Sequence, residues 1–429
     1  MLTHADILRW LQETDADRLA DLWRRADRTR RKHVGDAVHL RGLVEVSSYC
    51  VRSCHYCGLR AANAELSRYR MTDQEVLDCA HRAVDLGYGT VVLQAGEDPA
   101  LTKDRVVQWI RRIKRETRLA VTLSLGERTD EELAAWREAG ADRYLLRFET
   151  SNVNLFRRLH PPPAGGQNNS RELTTPGPAT DSRRLLADTG KMPVAHEMSL
   201  AYDEHPRIAI LHSLRELGYE VGSGVMIGIP GQTWDDLARD MELFAELQLD
   251  MIGCGPYIAH PHTPLHQLLP LPSGSEIGVE GEARHDAGGS QFARAAEVPV
   301  EPRAAETSVA LDDENTPADE LTTYKVIALA RLVCPRTNIP ATTALATLNT
   351  ESGRELGLSR GANVVMPNLT PTKYREMYEI YPGKACVSET AQACSRCLRG
   401  RIASIGRSVG TGRGDSPSYA ARQTQPDTI

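Results

Sequence analysis

Eight short apolar runs recur along this chain, and most pairs of neighbours are separated by a stretch with helical periodicity. The runs cover residues 43–47, 90–96, 120–126, 143–149, 220–228, 251–258, 339–344 and 363–367. Between them, apolar residues repeat at three- and four-residue spacing over 73–86, 103–116, 130–139, 208–217, 234–247 and 321–334. Strand alternating with helix predicts an α/β fold, a (β/α)8 TIM-type barrel or a partly open version of one. Chemistry in such a barrel sits at the C-terminal ends of the strands. Ahead of the first strand, Leu8, Leu11, Leu19 and Leu22 lie near helical spacing, which predicts two short amphipathic helices within 4–32.

Two stretches break the rhythm. Residues 161–204 are rich in Pro, Gly, Thr and Ser. Residues 272–320 hold twelve acidic and three basic side chains and no Trp or Tyr. The second carries −9, so the remainder of a chain whose net charge is −6 stands at +3. Both have the low hydrophobicity of disordered insertions; a docking surface for a partner protein is the functional alternative. The expected division is an N-terminal helical segment (1–37), the barrel (38–372), a cysteine-containing extension (373–400) and a flexible polar tail (401–429).

The negative balance argues against a general nucleic-acid partner, which needs a concentrated basic surface. No run of about eighteen apolar residues is present, so no membrane partner is expected. The N-terminus lacks an apolar core suited to secretion, and the expected localisation is cytoplasmic. Six of the nine cysteines fall into two tight triplets, 50/54/57 and 386/394/397. In such a composition that pattern points to metal rather than disulfides.

The first triplet, Cys50-Val-Arg-Ser-Cys54-His-Tyr-Cys57, follows the first strand directly. Thiolates hold iron–sulfur clusters one per iron, so three of them around four irons leave one iron open. Open positions mark catalytic metal sites; a structural zinc would want a fourth Cys or His close by. C-x3-C-x-aromatic-C resembles the radical S-adenosylmethionine (radical SAM) enzymes. The run Cys54-His-Tyr-Cys57-Gly-Leu-Arg60, followed by Arg68-Tyr-Arg-Met-Thr72, resembles their biotin-synthase-related branch and, within it, the HydE family of FeFe-hydrogenase maturation enzymes.

The resemblance implies a 4Fe–4S cluster on Cys50, Cys54 and Cys57 and S-adenosyl-L-methionine as second cofactor. One electron, from an external donor, then releases a 5′-deoxyadenosyl radical. It places Tyr56, Gln94, Gly96, Glu97, Ser124, Arg147, Glu149, Arg207 and Met226 around the S-adenosylmethionine. Thr342, Thr343, Asn363, Tyr378 and Tyr381 would line the substrate cavity. The implied substrate is a small molecule or small iron–cysteine–carbonyl–cyanide complex, and other hydrogenase maturation proteins are implied partners.

Residue chemistry bears on several of these positions. The Gly-containing turn at 94–98 lets backbone approach a ligand closely. Period two puts Arg147 and Glu149 on one strand face and Leu146 and Phe148 on the other, with an ion pair between barrel layers as the structural alternative. Arg207 follows His205-Pro206 at a helix start, where it can take a carboxylate bidentately. The loop holding His260, His262 and His266 is broken by prolines and reads as structural rather than metal-binding. Cys386-x7-Cys394-x2-Cys397 matches the pattern of an accessory C-terminal Fe–S cluster in some HydE proteins; a zinc site and free thiols stay open. The rival functions are another biotin-synthase-branch reaction, such as methylornithine formation or sulfur insertion, and a non-catalytic Fe–S scaffold.

Overall fold

The computed structural model describes residues 2–162, 205–267 and 315–424. Residues 163–204 and most of 272–320, read from sequence as insertions, lie outside the described residues. The described part of the second, 315–320, is anchored: Thr316 N–H donates to Gln232 O at 2.9 Å, and Asp319 caps the helix Glu320–Val333.

Among the described residues ten strands appear in chain order: β1 (Ala37–Ser47), β2 (Thr90–Ala95), β3 (Ala120–Ser124), β4 (Arg143–Leu145), β5 (Glu220–Ser223), β6 (Met226–Ile227), β7 (Met251–Ile252), β8 (Gly255–Pro256), β9 (Val364–Val365) and β10 (Ser408–Val409). All pairings between them are parallel, in the order β10-β1-β2-β3-β4-β5-β7, with β9 also on β1 and a separate β6–β8 pair. Single parallel bridges Met251–Asn338 and Pro340–Val364 complete the ring between β7 and β9. The seventh predicted strand, 339–344, is reduced to these bridges. Helices Asp73–Asp85, Lys103–Glu116, Asp130–Glu138, Pro206–Glu216, Trp234–Glu246 and Glu320–Val333 cover the outside. Most open on a Thr or Asp whose side chain accepts an N–H of the first turn, which sets where each begins.

Near-continuous burial along β1, β2 and β3 is what a parallel sheet covered by helices requires. Register pairs Arg41 with Thr90 and Arg143 with Glu220, and Arg143 Nη1 donates to Thr90 Oγ1 at 2.8 Å; Glu45, Gln94 and Ser124 pair in a row two pleats closer to the C-terminal ends of β1 and β2.

Two strands are shorter than their apolar runs. β4 stops at Leu145 because the chain must turn so that Glu149, at φ +68°, can bridge to Val225. The run 220–228 is split at Gly224, where an added Cβ would stand 2.0 Å from Gly253 O.

The reading of 401–429 as a flexible tail is corrected over 401–424; residues 425–429 lie outside the described residues. Residues 401–404 continue the helix Ala391–Ser404, β10 pairs with the start of β1, and Pro417–Thr424 is helical. Residues 408–416 plug the N-terminal mouth of the barrel. Arg41 Nη2 donates to Gly414 O at 2.9 Å, Arg143 Nη2 to Arg413 O at 2.9 Å and Asn338 Nδ2 to Gly414 O at 3.0 Å. The polar composition of this segment suits it to a charged barrel floor.

Candidate active site

At the opposite mouth, the cysteine loop leaves β1 and is pressed onto the end of β2. Val51 N–H donates to Glu97 O at 3.0 Å, and the N–H groups of Arg52 and Glu97 each point at Cys50 Sγ at 3.4 Å. Gly96 permits this approach: an added Cβ would lie 2.6 Å from both Cys50 Cβ and Tyr49 O. On the other side, His55 N–H donates to Leu159 O at 2.9 Å, Leu265 N–H to His55 O at 3.1 Å, and Gly58 N–H to Ile380 O at 2.9 Å. The loop is therefore fixed by segments from four other parts of the chain.

Cys50, Cys54 and Cys57 are all free. Burial pushes the Cys54 thiol up to about 12 and raises Cys50 and Cys57 as well. Buried thiolates of this kind are stabilised by binding metal, which takes them deprotonated. Among the described residues no three His, Cys, Asp or Glu side chains converge tightly enough to hold one metal ion. A multi-iron cluster takes its thiolates one per iron and so asks for a wider spread. The donor set and the glycine cradle fit a 4Fe–4S cluster.

Around the thiols stands an array of buried charges. Glu127 Oε1 accepts from Arg52 Nη2 and from Arg207 Nε, each at 3.0 Å. Arg207 Nη1 also donates to Arg147 O at 2.8 Å, and its guanidinium lies 5.2 Å from the Phe156 ring centroid. Glu97 Oε1 accepts Glu127 N–H at 3.2 Å; burial, then the nearby Glu127 carboxylate, raises its pKa, while the arginines lower that of Glu127. Arg207 is only 7% exposed, which rules out an idle surface arginine. Its place is set by Pro206 at the start of the helix.

Arg147 Nη2 lies 3.1 Å from Glu149 Oε2. The pair is not aligned as a hydrogen bond, so the buried Oε2 and Arg147 Nε both lack hydrogen-bond partners. Two unmet polar atoms at the catalytic mouth, one of them on Glu149 with its left-handed backbone, mark a place prepared for a ligand. Met226 packs with Leu155, Leu159, Ile229, Tyr257 and Leu265, against Tyr56, so the predicted Tyr56 and Met226 share one apolar wall. Tyr56 OH meets His160 Nε2 at 3.0 Å.

The substrate-side candidates divide. Gln94 Nε2 donates to Tyr378 OH at 3.3 Å, and Lys384, paired with Glu45, lies 5.2 Å from the Tyr378 ring centroid. Burial raises the Tyr381 hydroxyl, which bonds to Thr347. Thr342 caps the helix Thr343–Leu348, and Thr343 opens it. Asn363 falls elsewhere. It precedes β9, and its amide is spent on Arg331, Ile339 N–H and Asn338 near the barrel floor. Asn368, five residues on, reaches the catalytic mouth, with Nδ2 3.0 Å from Glu45 Oε2.

Arg52 and Glu45 were not identified from sequence as site residues, and Glu127 and Lys384 only as the ends of segments expected at the site, without a role of their own. Nothing in their local pattern separates them from surface charges; only the fold buries them together.

The second triplet lies apart. Arg354 Nη1 and Nη2 are 3.5 and 3.6 Å from Cys386 Sγ, and Cys394 and Cys397 lie one turn apart on Ala391–Ser404. A hydrogen bond from Cys394, then Arg354, lowers Cys386 to about 5.

Barrel, cysteine loop and charged mouth together define a radical SAM enzyme, and residues 44–170 match the Radical SAM superfamily model. The [FeFe] hydrogenase maturase subunit HydE of Thermotoga maritima is 39% identical over 389 residues, 91% of this chain and 86% of that one. The chain belongs to the HydE family. A 3-methylornithine synthase of Methanosarcina barkeri is 31% identical over 160 residues, 37% of this chain and 45% of that one. In fold, the chain is similar to methylornithine synthase (PylB), with TM-score 0.64 at 19% identity over 99% of this chain and 96% of that one. It is likewise similar to HydG, a maturase of the [FeFe]-hydrogenase, with TM-score 0.65 at 16% identity, covering 98% and 76%.

Proposed function

We propose that this protein acts in assembly of the FeFe-hydrogenase active site, on a small iron–cysteine–carbonyl–cyanide precursor, toward the dithiolate bridge. The observation that carries the reading is identity to a hydrogenase maturase subunit across nearly the whole chain. Cys50, Cys54 and Cys57 would hold a 4Fe–4S cluster that, with S-adenosylmethionine and an external electron donor, supplies a 5′-deoxyadenosyl radical. Arg207, beside Glu127, offers cationic charge to the methionyl carboxylate, and Glu149 Oε2 is left to accept from the ribose or face the sulfonium. The wall of Tyr56 and Met226 takes the adenosine side. Tyr378, Tyr381, Thr342 and Thr343 would face the precursor in a cavity closed at its floor by 408–416, which limits access of water to a radical. Other maturation proteins are the expected partners, and the cytoplasm the expected compartment.

A methylornithine-type reaction is the second reading, favoured by the shared fold and the 160-residue match. Sulfur insertion of the biotin-synthase kind would need an auxiliary cluster on barrel strands, and β2, β3 and β5 contain no cysteine. The test is anaerobic reconstitution with S-adenosylmethionine and reductant, followed by complementation of a strain deleted for its hydrogenase maturase. Cleavage to 5′-deoxyadenosine with restored hydrogenase activity is expected. Cleavage without restoration would pass the assignment to the second reading.

A further inference from the structure

His260, on the loop after β8, is 1% exposed and packs against Gly58, the residue that follows Cys57. A Cβ on Gly58 would stand 2.6 Å from His260 Nε2 and 2.1 Å from Glu379 O, so a glycine is needed there for the ring to close on the cysteine loop. The two ring nitrogens differ. His262 N–H donates to His260 Nδ1 at 3.2 Å. A nitrogen that accepts carries no proton, so the neutral ring bears its hydrogen on Nε2. Burial, opposed by Glu379, keeps the ring neutral by lowering its pKa. Nε2 is buried and has no hydrogen-bond partner. Glu379 Oε2 stands 3.8 Å away, beyond hydrogen-bond length, on a side chain that is 42% exposed.

An unmet buried donor is destabilising, which calls for an acceptor that arrives with the loaded centre. We propose that His260 Nε2–H donates to a sulfur of the 4Fe–4S cluster on its Cys57 side, and thereby raises the cluster's reduction potential. Reduction adds negative charge to the cluster sulfurs, and a donor held against them stabilises that charge. The inference rests on Cys57 being a cluster ligand. Failure of that assignment would appear separately, as full iron content in Cys57→Ser.

The experiment is an anaerobic potentiometric titration of the cluster-loaded protein, read by electron paramagnetic resonance. His260→Leu fills the space against Gly58 without a donor, and His260→Gln restores an N–H. At a fixed ambient potential, the reduced-to-oxidised ratio should fall about tenfold in His260→Leu, or ~59 mV for a one-electron couple. It should recover in His260→Gln and should not fall in Glu379→Gln. An unshifted midpoint in His260→Leu with normal iron content overturns the proposal. A fall in Glu379→Gln also overturns it, because the carboxylate would then be the ring's partner. Should His260→Leu not load iron, the exchangeable-proton couplings of wild type and His260→Gln decide. A coupling that differs between them supports the hydrogen bond, and identical spectra overturn it.

Discussion

Arg52 and Arg207 share one acceptor: each donates to Glu127 Oε1 at 3.0 Å. One arginine comes from the cysteine loop and the other from a helix start more than 150 residues later. The shared carboxylate ties the cluster loop to the cationic group that would receive the methionyl carboxylate. Arg207 is buried and Arg52 and Glu127 are partly so, 20% and 17% exposed, so these charges are less screened than surface pairs.

Arg207→Ala should weaken S-adenosylmethionine binding by about 2 kcal/mol, the scale of a charged hydrogen bond, or roughly thirtyfold in Kd. The fold should survive, because Arg52 still pairs with Glu127. Calorimetric titration of the reconstituted enzyme checks this. An unchanged Kd would reduce Arg207 to a structural member of the ion-pair array.

Much of this arrangement was legible in the sequence, for identifiable reasons. The spacing of Cys50, Cys54 and Cys57 is itself chemistry, and the apolar runs at 90–96 and 120–126 became β2 and β3 nearly residue for residue. Long-range closure was not legible. The segment 408–416 looks like solvent-facing tail until Arg41 and Arg143, hundreds of residues earlier, and Asn338, 76 residues earlier, converge on it. Asn363 was misplaced for a related reason. Its side chain matches the chemistry wanted, but which end of a two-residue strand faces the cavity depends on pairing with β1. The left-handed backbone at Glu149 has no signal in a residue type that seldom adopts it.

Asp240 gives a pH-dependent stability. Its Oδ1 accepts Ser151 N–H at 2.5 Å, Oδ2 is buried without a partner, and burial pushes the carboxyl up to about 7. In the unfolded chain it titrates near ~4. Between these values the folded state holds the extra proton. The group's contribution is therefore complete below about pH 4 and is lost as pH rises through about 7. Asp240→Asn should flatten the dependence of Tm on pH across that window and raise Tm at pH 8. Equal slopes for variant and wild type would mean that Asp240 stays ionised.

Truncation after Arg407 should destabilise the barrel by about 3–5 kcal/mol, the usual cost of breaking buried charge pairs. Arg143 would lose Asp415 and the Arg413 carbonyl, and Arg41 the Gly414 carbonyl. Glu220 would still pair with Arg143, but Arg41, 1% exposed, would keep only Met251 Sδ as a partner, and that nearly uncompensated charge sets the size of the loss. Urea unfolding measures the effect. A midpoint matching wild type would return 408–424 to the status of a tail.

The two cysteine triplets should separate cleanly by substitution. Cys54→Ala removes one of three thiolates from a loop that backbone hydrogen bonds, the Arg52–Glu127 ion pair and the Tyr56–His160 contact still hold, so the protein should fold and melt cooperatively while losing iron and cofactor cleavage together. Changing Cys386, Cys394 and Cys397 to Ser should leave cleavage intact. That triplet lies beyond β9, outside the ring of strand ends where a barrel does chemistry. Cys386 Sγ also takes its contacts from Arg354. Iron per chain and 5′-deoxyadenosine formed per chain decide both cases. Normal cleavage in Cys54→Ala would break the cluster assignment. Loss of cleavage in the triple-Ser protein, with the first cluster still loaded, would make the second triplet part of the electron path to the first.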